Sequence, residues 1–228
     1  MRLVKLASYN VHRAIGTDGR CSPQRILEVL REIDADVVAL QEVEAQDSGA
    51  DMLAWLAKET GFHAIAGTTL KRHDGHFGNG ILSRTPARTT TLCDLSWRGR
   101  EPRGAIAADL DFHGTPLHVV ATHLGLRPAE RREQVEALLK LFSERAGDKA
   151  VLVGDLNEWF LWGRPLRRLH RYFKATPAPA TFPSRLPVFA LDRVWTHPRS
   201  MLREIVAHSS PLARVASDHL PLVATLEL

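Results

Sequence analysis

The residues best suited to chemistry gather in Val151-Leu152-Val153-Gly154-Asp155-Leu156-Asn157-Glu158-Trp159. Three apolar residues run into Gly-Asp-Leu-Asn, which reads as a short strand delivering polar groups to a loop. The apolar run does not alternate, so the strand is expected to be covered on both faces. Gly154 permits a tight backbone exit and the close approach of a ligand. Asp155 and Asn157 stand two apart, where an extended backbone points both side chains to one side. A charged oxygen beside an amide that donates and accepts suits a metal-assisted site for an anionic substrate. An Asx-type turn accounts for the same residues without chemistry, so the weight falls on what else the chain supplies.

Comparable groups stand at the ends of other apolar runs: Asn10, Glu42, His123, Asp192 and the pair Asp218-His219. Loops at strand ends are where scaffolds usually carry chemistry. Glu42 and Asp218 offer hard oxygens suited to Mg2+, with Mn2+ as the second option. Asp192 is placed to orient the His219 imidazole. No Cys or His cluster has zinc spacing. The other histidines read as surface or structural groups, and Asp109 and Asp111 as a solvated strand face. Arg103 divides evenly between a phosphate ligand and an ordinary surface arginine.

Many strands must position these groups, with a few helices between them. Strands are expected over Leu3 to Tyr9, Val37 to Leu40, Phe62 to Ala66, Gly80 to Ser83, Arg88 to Leu95, Ala105 to Phe112, Leu117 to Thr122, Phe189 to Thr196, Leu202 to Ala207 and Leu222 to Leu226. Ser22-Pro23 marks a helix start, with Ser22 as N-cap and Pro23 at the first helical position. A second helix is expected over 49–60, stopped by Gly61. A third opens at Pro128 and a short basic one at Pro165. Hairpins mix with crossovers, so two sheets packed face to face, with helices outside, fit better than a Rossmann sheet or a barrel.

The chain has 228 residues, 44% hydrophobic and 25% charged, a globular composition read as one domain over 1–228. No apolar run approaches the roughly 20 residues a membrane span needs. The first residues do not read as a signal peptide. Cys21 and Cys93 are too few and too far apart for a disulfide framework, so a cytoplasmic location is expected. The net charge of +4 and pI of about 9.4 favour anionic partners such as phosphates, nucleic acid or acidic lipid head groups.

Seven segments together resemble the endonuclease/exonuclease/phosphatase superfamily, the group that holds DNase I. They are Ser8-Tyr9-Asn10-Val11, Leu40-Gln41-Glu42-Val43, Gly78 to Arg84, Ala121-Thr122-His123-Leu124, Gly154-Asp155-Leu156-Asn157, Leu191-Asp192-Arg193-Val194 and Ser217 to Leu222. They span nearly the whole chain in the family's order. The resemblance implies an α/β (α+β) four-layer sandwich, with two mixed sheets inside and helices outside. It also implies roles. Glu42 would bind the divalent metal, helped by Asp218 and Asn10. Asp155 would activate or position water, and Asn157 would hold a phosphate oxygen. Asp192 would orient His219 on the phosphate. His123 matches a histidine that assists the leaving group in nuclease members, and Asn79 takes a substrate-side role. Thr181-Phe182-Pro183-Ser184 resembles a loop near the family's site.

The expected activity is Mg2+-dependent hydrolysis of a phosphodiester carried on nucleic acid or a lipid head group. A monoesterase with the same core, or a non-catalytic phosphate- or nucleic-acid-binding scaffold, are the alternatives. His123 favours the diester. The basic-aromatic run Trp159 to Lys174 is either a nucleic-acid contact, a contact with an anionic membrane surface, or a helix with a buried apolar side and a solvated arginine face. No stable protein partner is expected.

Overall fold

The structure, a computed structural model, describes residues 2–46, 50–72, 75–143 and 149–228. Its first sheet contains β1 (Leu3–Asn10), β2 (Val37–Gln46), β3 (Ala50–Asp51), β4 (His63–Arg72), β5 (Gly75–Ser83), β11 (Leu202–Ala207) and β12 (Leu222–Glu227). The order is β11-β12-β1-β2-β5-β4, with β3 paired to β2. Its second sheet contains β6 (Ala87–Asp94), β7 (Gly104–Phe112), β8 (Thr115–His123), β9 (Ala150–Asp155) and β10 (Asp192–His197), in the order β10-β9-β8-β7-β6. Each sheet has one parallel pair, β1 with β2 and β8 with β9. Both sheets are therefore mixed.

Three apolar layers hold this together. Between the sheets lie Val4, Leu6, Val37, Ile81, Val119, Val151 and Val153 with their neighbours. Outside the first sheet pack α1 (Pro23–Ile33), α2 (Met52–Thr60) and the single turn α5 (Ala213–Ala216). Outside the second pack α3 (Pro128–Ser143) and α4 (Arg164–Phe173), over Trp195 and Leu152. This is the expected four-layer sandwich. β9 is buried along its whole length, as its unbroken apolar run requires of a strand with a sheet on one side and helices on the other.

Several local expectations are revised. Ser22 makes no side-chain cap, and α1 starts on Pro23 alone; Asp34, with φ of 48°, ends it. Gly49 lies outside the described residues, and α2 begins at Met52, capped by Asp51 and closed by Gly61. β2 continues past Leu40 through a register shift against β5. β10 starts at Asp192 rather than Phe189, because the Phe189 backbone is spent on hydrogen bonds to Thr181 and Phe182. Asp109 is not simply solvated: it binds the buried His118 at 2.7 Å. Among the described residues, no helix is long and apolar enough to cross a membrane.

Gly154 is needed for the tight backbone exit. Its φ is 147°, and a Cβ there would sit 1.9 Å from the Thr122 carbonyl oxygen. The glycine lets β8 and β9 close up where both deliver site residues. Gly154→Ala should cost at least about 2 kcal/mol of stability, from backbone strain and displaced strand. Urea unfolding measures this; an unchanged midpoint would show that the strand exit is not under constraint.

Candidate functional site

The parallel pairs decide where the polar groups meet. β1, β2, β8 and β9 all bring their C-terminal ends to one edge of the sandwich. β10 runs antiparallel to β9 and β12 antiparallel to β1, so their N-terminal ends arrive at the same edge. Asn10, Glu42, His123, Asp155, Asn157 and His219 thereby line one pocket of about 360 Å³. Arg103 joins them. Asp192 sits directly behind His219, and Asp218 lies beside the rim, 3.8 Å from His12.

The local folding of each group is specific. Glu42 has φ of 58° and sits in the register shift of β2, where a bulge re-aims its side chain. Asn157, with φ of 50°, is not on an extended backbone. Its N–H donates to Asp155 Oδ1 at 2.9 Å, so the Asx turn and the site are the same structure. Asn10 donates through Nδ2 to Glu42 Oε1 and to Asp155 Oδ2, both at 3.1 Å. One amide thus holds carboxylates from two sheets.

Glu42 is mostly buried. Burial pushes its carboxyl above the usual range, and Asp218 and Asp155 add to this against the Asn10 hydrogen bond and His12. No arginine or lysine among the described residues forms an ion pair with it. A mostly buried carboxylate near two others has little compensating positive charge beyond His12, and hard oxygens are the ligands a divalent cation prefers. Glu42 and Asp218 could thus offer hard oxygens to a divalent cation, while the Asn10 amide oxygen accepts the His12 N–H at 3.1 Å. A second group, Asp155, Asp192 and His219, has ligand atoms within 4.8 Å of one another. It is already closed internally: His219 Nδ1 bonds Asp192 Oδ2 at 2.8 Å, and Thr181 donates to the same oxygen at 2.6 Å.

The two histidines are driven apart. For His219, burial disfavours the charged ring, but Asp192, then Asp155 and Asp218, outweigh it and raise the pKa to about 10. For His123, burial dominates, with Arg103 and His219 adding to it against Asp155, and the pKa falls to about 3. Geometry agrees. His123 Nδ1 faces Arg103 Nη1 at 3.2 Å, and Nε2 faces the Asn157 amide nitrogen at 3.0 Å. The Arg103 guanidinium, which can only donate, takes Nδ1 as its acceptor and so opposes the second proton that would charge the ring.

Arg103 is buried, not an ordinary surface arginine. It also pairs with Glu101 at 3.1 Å, and its Nε has no protein partner. Asn79 is buried too but does not line the pocket. It donates to the Gly104 carbonyl at 3.0 Å, which steadies the strand start next to Arg103. Glu158 is structural, paired with the buried Arg131 at 3.2 Å.

Sequence reasoning missed two contributors, Arg13 and Leu126, and gave no role to the Thr181 to Ser184 loop. Arg13 lines the pocket from a turn in which His12, Arg13 and Ala14 all have positive φ; nothing in their identities signals that conformation. Leu126 also lines the pocket. The Thr181 to Ser184 loop clamps the His219 segment: Leu220 N–H donates to the Thr181 carbonyl at 2.9 Å, and Ser184 bonds Ser217 and Asp218 backbone oxygens, both at 2.7 Å. Its Thr181 hydroxyl and Phe182 ring, 4.8 Å from His219, complete the support.

A family model, that of the Endonuclease/Exonuclease/phosphatase family, matches residues 7–219. Uncharacterized protein YbhP of Escherichia coli (strain K12) is 30% identical over 250 residues, covering 98% of this chain and 96% of that one. An endonuclease/exonuclease/phosphatase from Beutenbergia cavernae DSM 12333 has a similar fold, with a TM-score of 0.82 and 24% identity, over 100% of this chain and 72% of that one. One from Bacteroides vulgatus gives 0.82 at 17% identity, over 100% of both chains.

The raised His219 pKa has a signature in stability. Its charged pair with Asp192 contributes fully below the unfolded value of 6.5 and is lost as pH rises from 6.5 to about 10. Asp192→Asn should remove that slope. Unfolding midpoints with EDTA present, compared for both proteins across this window, check it. Parallel curves would mean that His219 is not held charged by Asp192.

Proposed function

The chain belongs to the endonuclease/exonuclease/phosphatase family, whose members are phosphoesterase hydrolases, and on that premise we propose that it is a metal-dependent phosphodiester hydrolase. The observation that carries the proposal is the convergence of Asn10, Glu42, Asp155, Asn157, Arg103 and His219 on one pocket. Acids, amides and cations together are what phosphoryl transfer to water requires: positioning and charge neutralisation more than covalent help.

Glu42, Asp218 and Asn10 would hold Mg2+, or Mn2+ in its place. When bound, such an ion polarises a phosphate oxygen and offsets charge on the leaving oxygen. Asp155 accepts a proton from the attacking water. Its Oδ2 is already held by Asn10, which keeps the carboxylate from turning away. His219, charged and braced by Asp192, sits 3.8 Å from Asp155 Oδ2 and faces the phosphate as a fixed cation. Asn157 and Arg103 serve the remaining phosphate oxygens. The partnerless Arg103 Nε is a buried donor in want of an acceptor, which an anionic oxygen supplies. His123, neutral, holds Arg103 and Asn157 on the leaving-group side, and Asn79 supports Arg103 from behind. The phosphate ester is carried on nucleic acid or a lipid head group, and the chain acts as one unit.

The test is turnover of a chromogenic phosphodiester with Mg2+, beside a monoester control. EDTA should abolish activity. Asp155→Asn and His219→Ala should each lower kcat by about 10²–10⁴-fold. Glu42→Gln should raise the Mg2+ concentration needed. Diester turnover indifferent to EDTA, or to both Asp155→Asn and His219→Ala, would remove the proposal; faster turnover of the monoester would reassign the substrate.

A further inference from the structure

The pocket described above opens through an unusual rim. Among the described residues, eleven large apolar side chains are exposed, and eight of them fall in three short segments: Leu126; Trp159 to Trp162; and Leu186, Val188 and Phe189. Leu126 lines the pocket itself. Trp159 packs edge-on against Phe189 at 4.9 Å and Phe182 at 5.7 Å, and Phe182 reaches His219. The apolar rim is therefore continuous with the pocket wall. Clusters of this kind on a folded surface mark an interaction site.

The stretch that carries seven of these eight side chains has charge of one sign. From Trp159 to Leu191 there is no Asp or Glu, but there are Arg164, Arg167, Arg168, Arg171, Lys174 and Arg185. α4 buries Leu166, Leu169 and Phe173 and so turns its arginines outward. With Arg132 of α3 they line a groove of about 260 Å³, in which Glu136 takes up only Arg168. The buried-side account of the basic-aromatic run therefore holds for α4, and fails for Trp159 to Trp162, which stay exposed.

We propose that this rim is an interfacial docking surface for an anionic phospholipid bilayer, which sets the pocket mouth against the lipid head groups. A single-stranded nucleic acid would use the arginines and stack bases on aromatic faces. It has no use for the aliphatic side chains, Leu126, Leu161, Leu186 and Val188, that make up half of the exposed set. An acyl-chain boundary takes aliphatic and aromatic groups alike, while arginines beside them meet the acidic head groups. The inference rests on the proposed phosphodiester site only for what the mouth faces; binding itself requires no turnover.

The experiment is flotation of the full chain with phosphatidylcholine vesicles, with and without phosphatidylglycerol, and with a single-stranded oligonucleotide as a separate ligand. The chain should partition onto the phosphatidylglycerol vesicles about tenfold more strongly than onto phosphatidylcholine alone. Leu161→Ser/Trp162→Ser and Arg164→Glu/Arg167→Glu should each weaken that by about tenfold, with unchanged thermal melting. Leu161→Ser/Trp162→Ser should keep its turnover of a soluble phosphodiester. No partition onto anionic vesicles, partition that survives Leu161→Ser/Trp162→Ser, or oligonucleotide binding in its place would overturn the proposal. Vesicle binding without any phosphodiester turnover would leave the surface standing and remove the hydrolase reading; turnover without vesicle binding would do the reverse.

Discussion

One amide group joins the two halves of the site. Asn10 Nδ2 carries two protons, and each goes to a different carboxylate, Glu42 on its own sheet and Asp155 on the other. Two acids held this near each other repel, and burial at Glu42 makes the charge still harder to keep. The arrangement stands because the sheets are locked by the apolar layer between them and because Asn10 satisfies an oxygen on each side. What remains is an excess of negative charge at a fixed place. A divalent cation is the simplest complement to it.

The imidazoles show how environment assigns work to identical groups. His123 Nε2 and His219 Nε2 lie 3.5 Å and 3.8 Å from the same oxygen, Asp155 Oδ2. His219 has Asp192 behind it and keeps a proton. His123 has Arg103 and Asn157 against it and stays neutral. Titratable groups pushed in opposite directions within one pocket are characteristic of sites that perform chemistry. The positive charge falls beside Asp155, and the neutral ring packs against the donors around it.

Support for these groups comes from segments of little chemical character. The Thr181 to Ser184 loop fixes the Asp192–His219 pair through a hydroxyl, an aromatic ring and backbone hydrogen bonds. Gly154 allows two strands to close without a side chain between them. The buried Arg131–Glu158 pair anchors the chain immediately after Asn157, from which the exposed rim Trp159 to Trp162 departs. Chemistry, support and rim thus follow one another along a single stretch of sequence, and differ only in which way their side chains turn.

Much of this was legible in the residues themselves. Unbroken apolar runs such as Val151 to Val153 announced doubly covered strands, and the polar groups that ended them announced the site. Seven short segments in order carried the family and its sandwich. Those features are local, and local spacing preserves them. The positive φ at Glu42, the turn that presents Arg13, the burial of Arg103, the displacement of Asn79 from the pocket and the role of Thr181 were not legible. Each depends on contact with residues tens of positions away. The opposed states of His123 and His219 are of the same kind: the sequence by itself determined that two imidazoles would reach the site, and only the tertiary structure, by choosing which neighbours surround each ring, decided which one bears the charge.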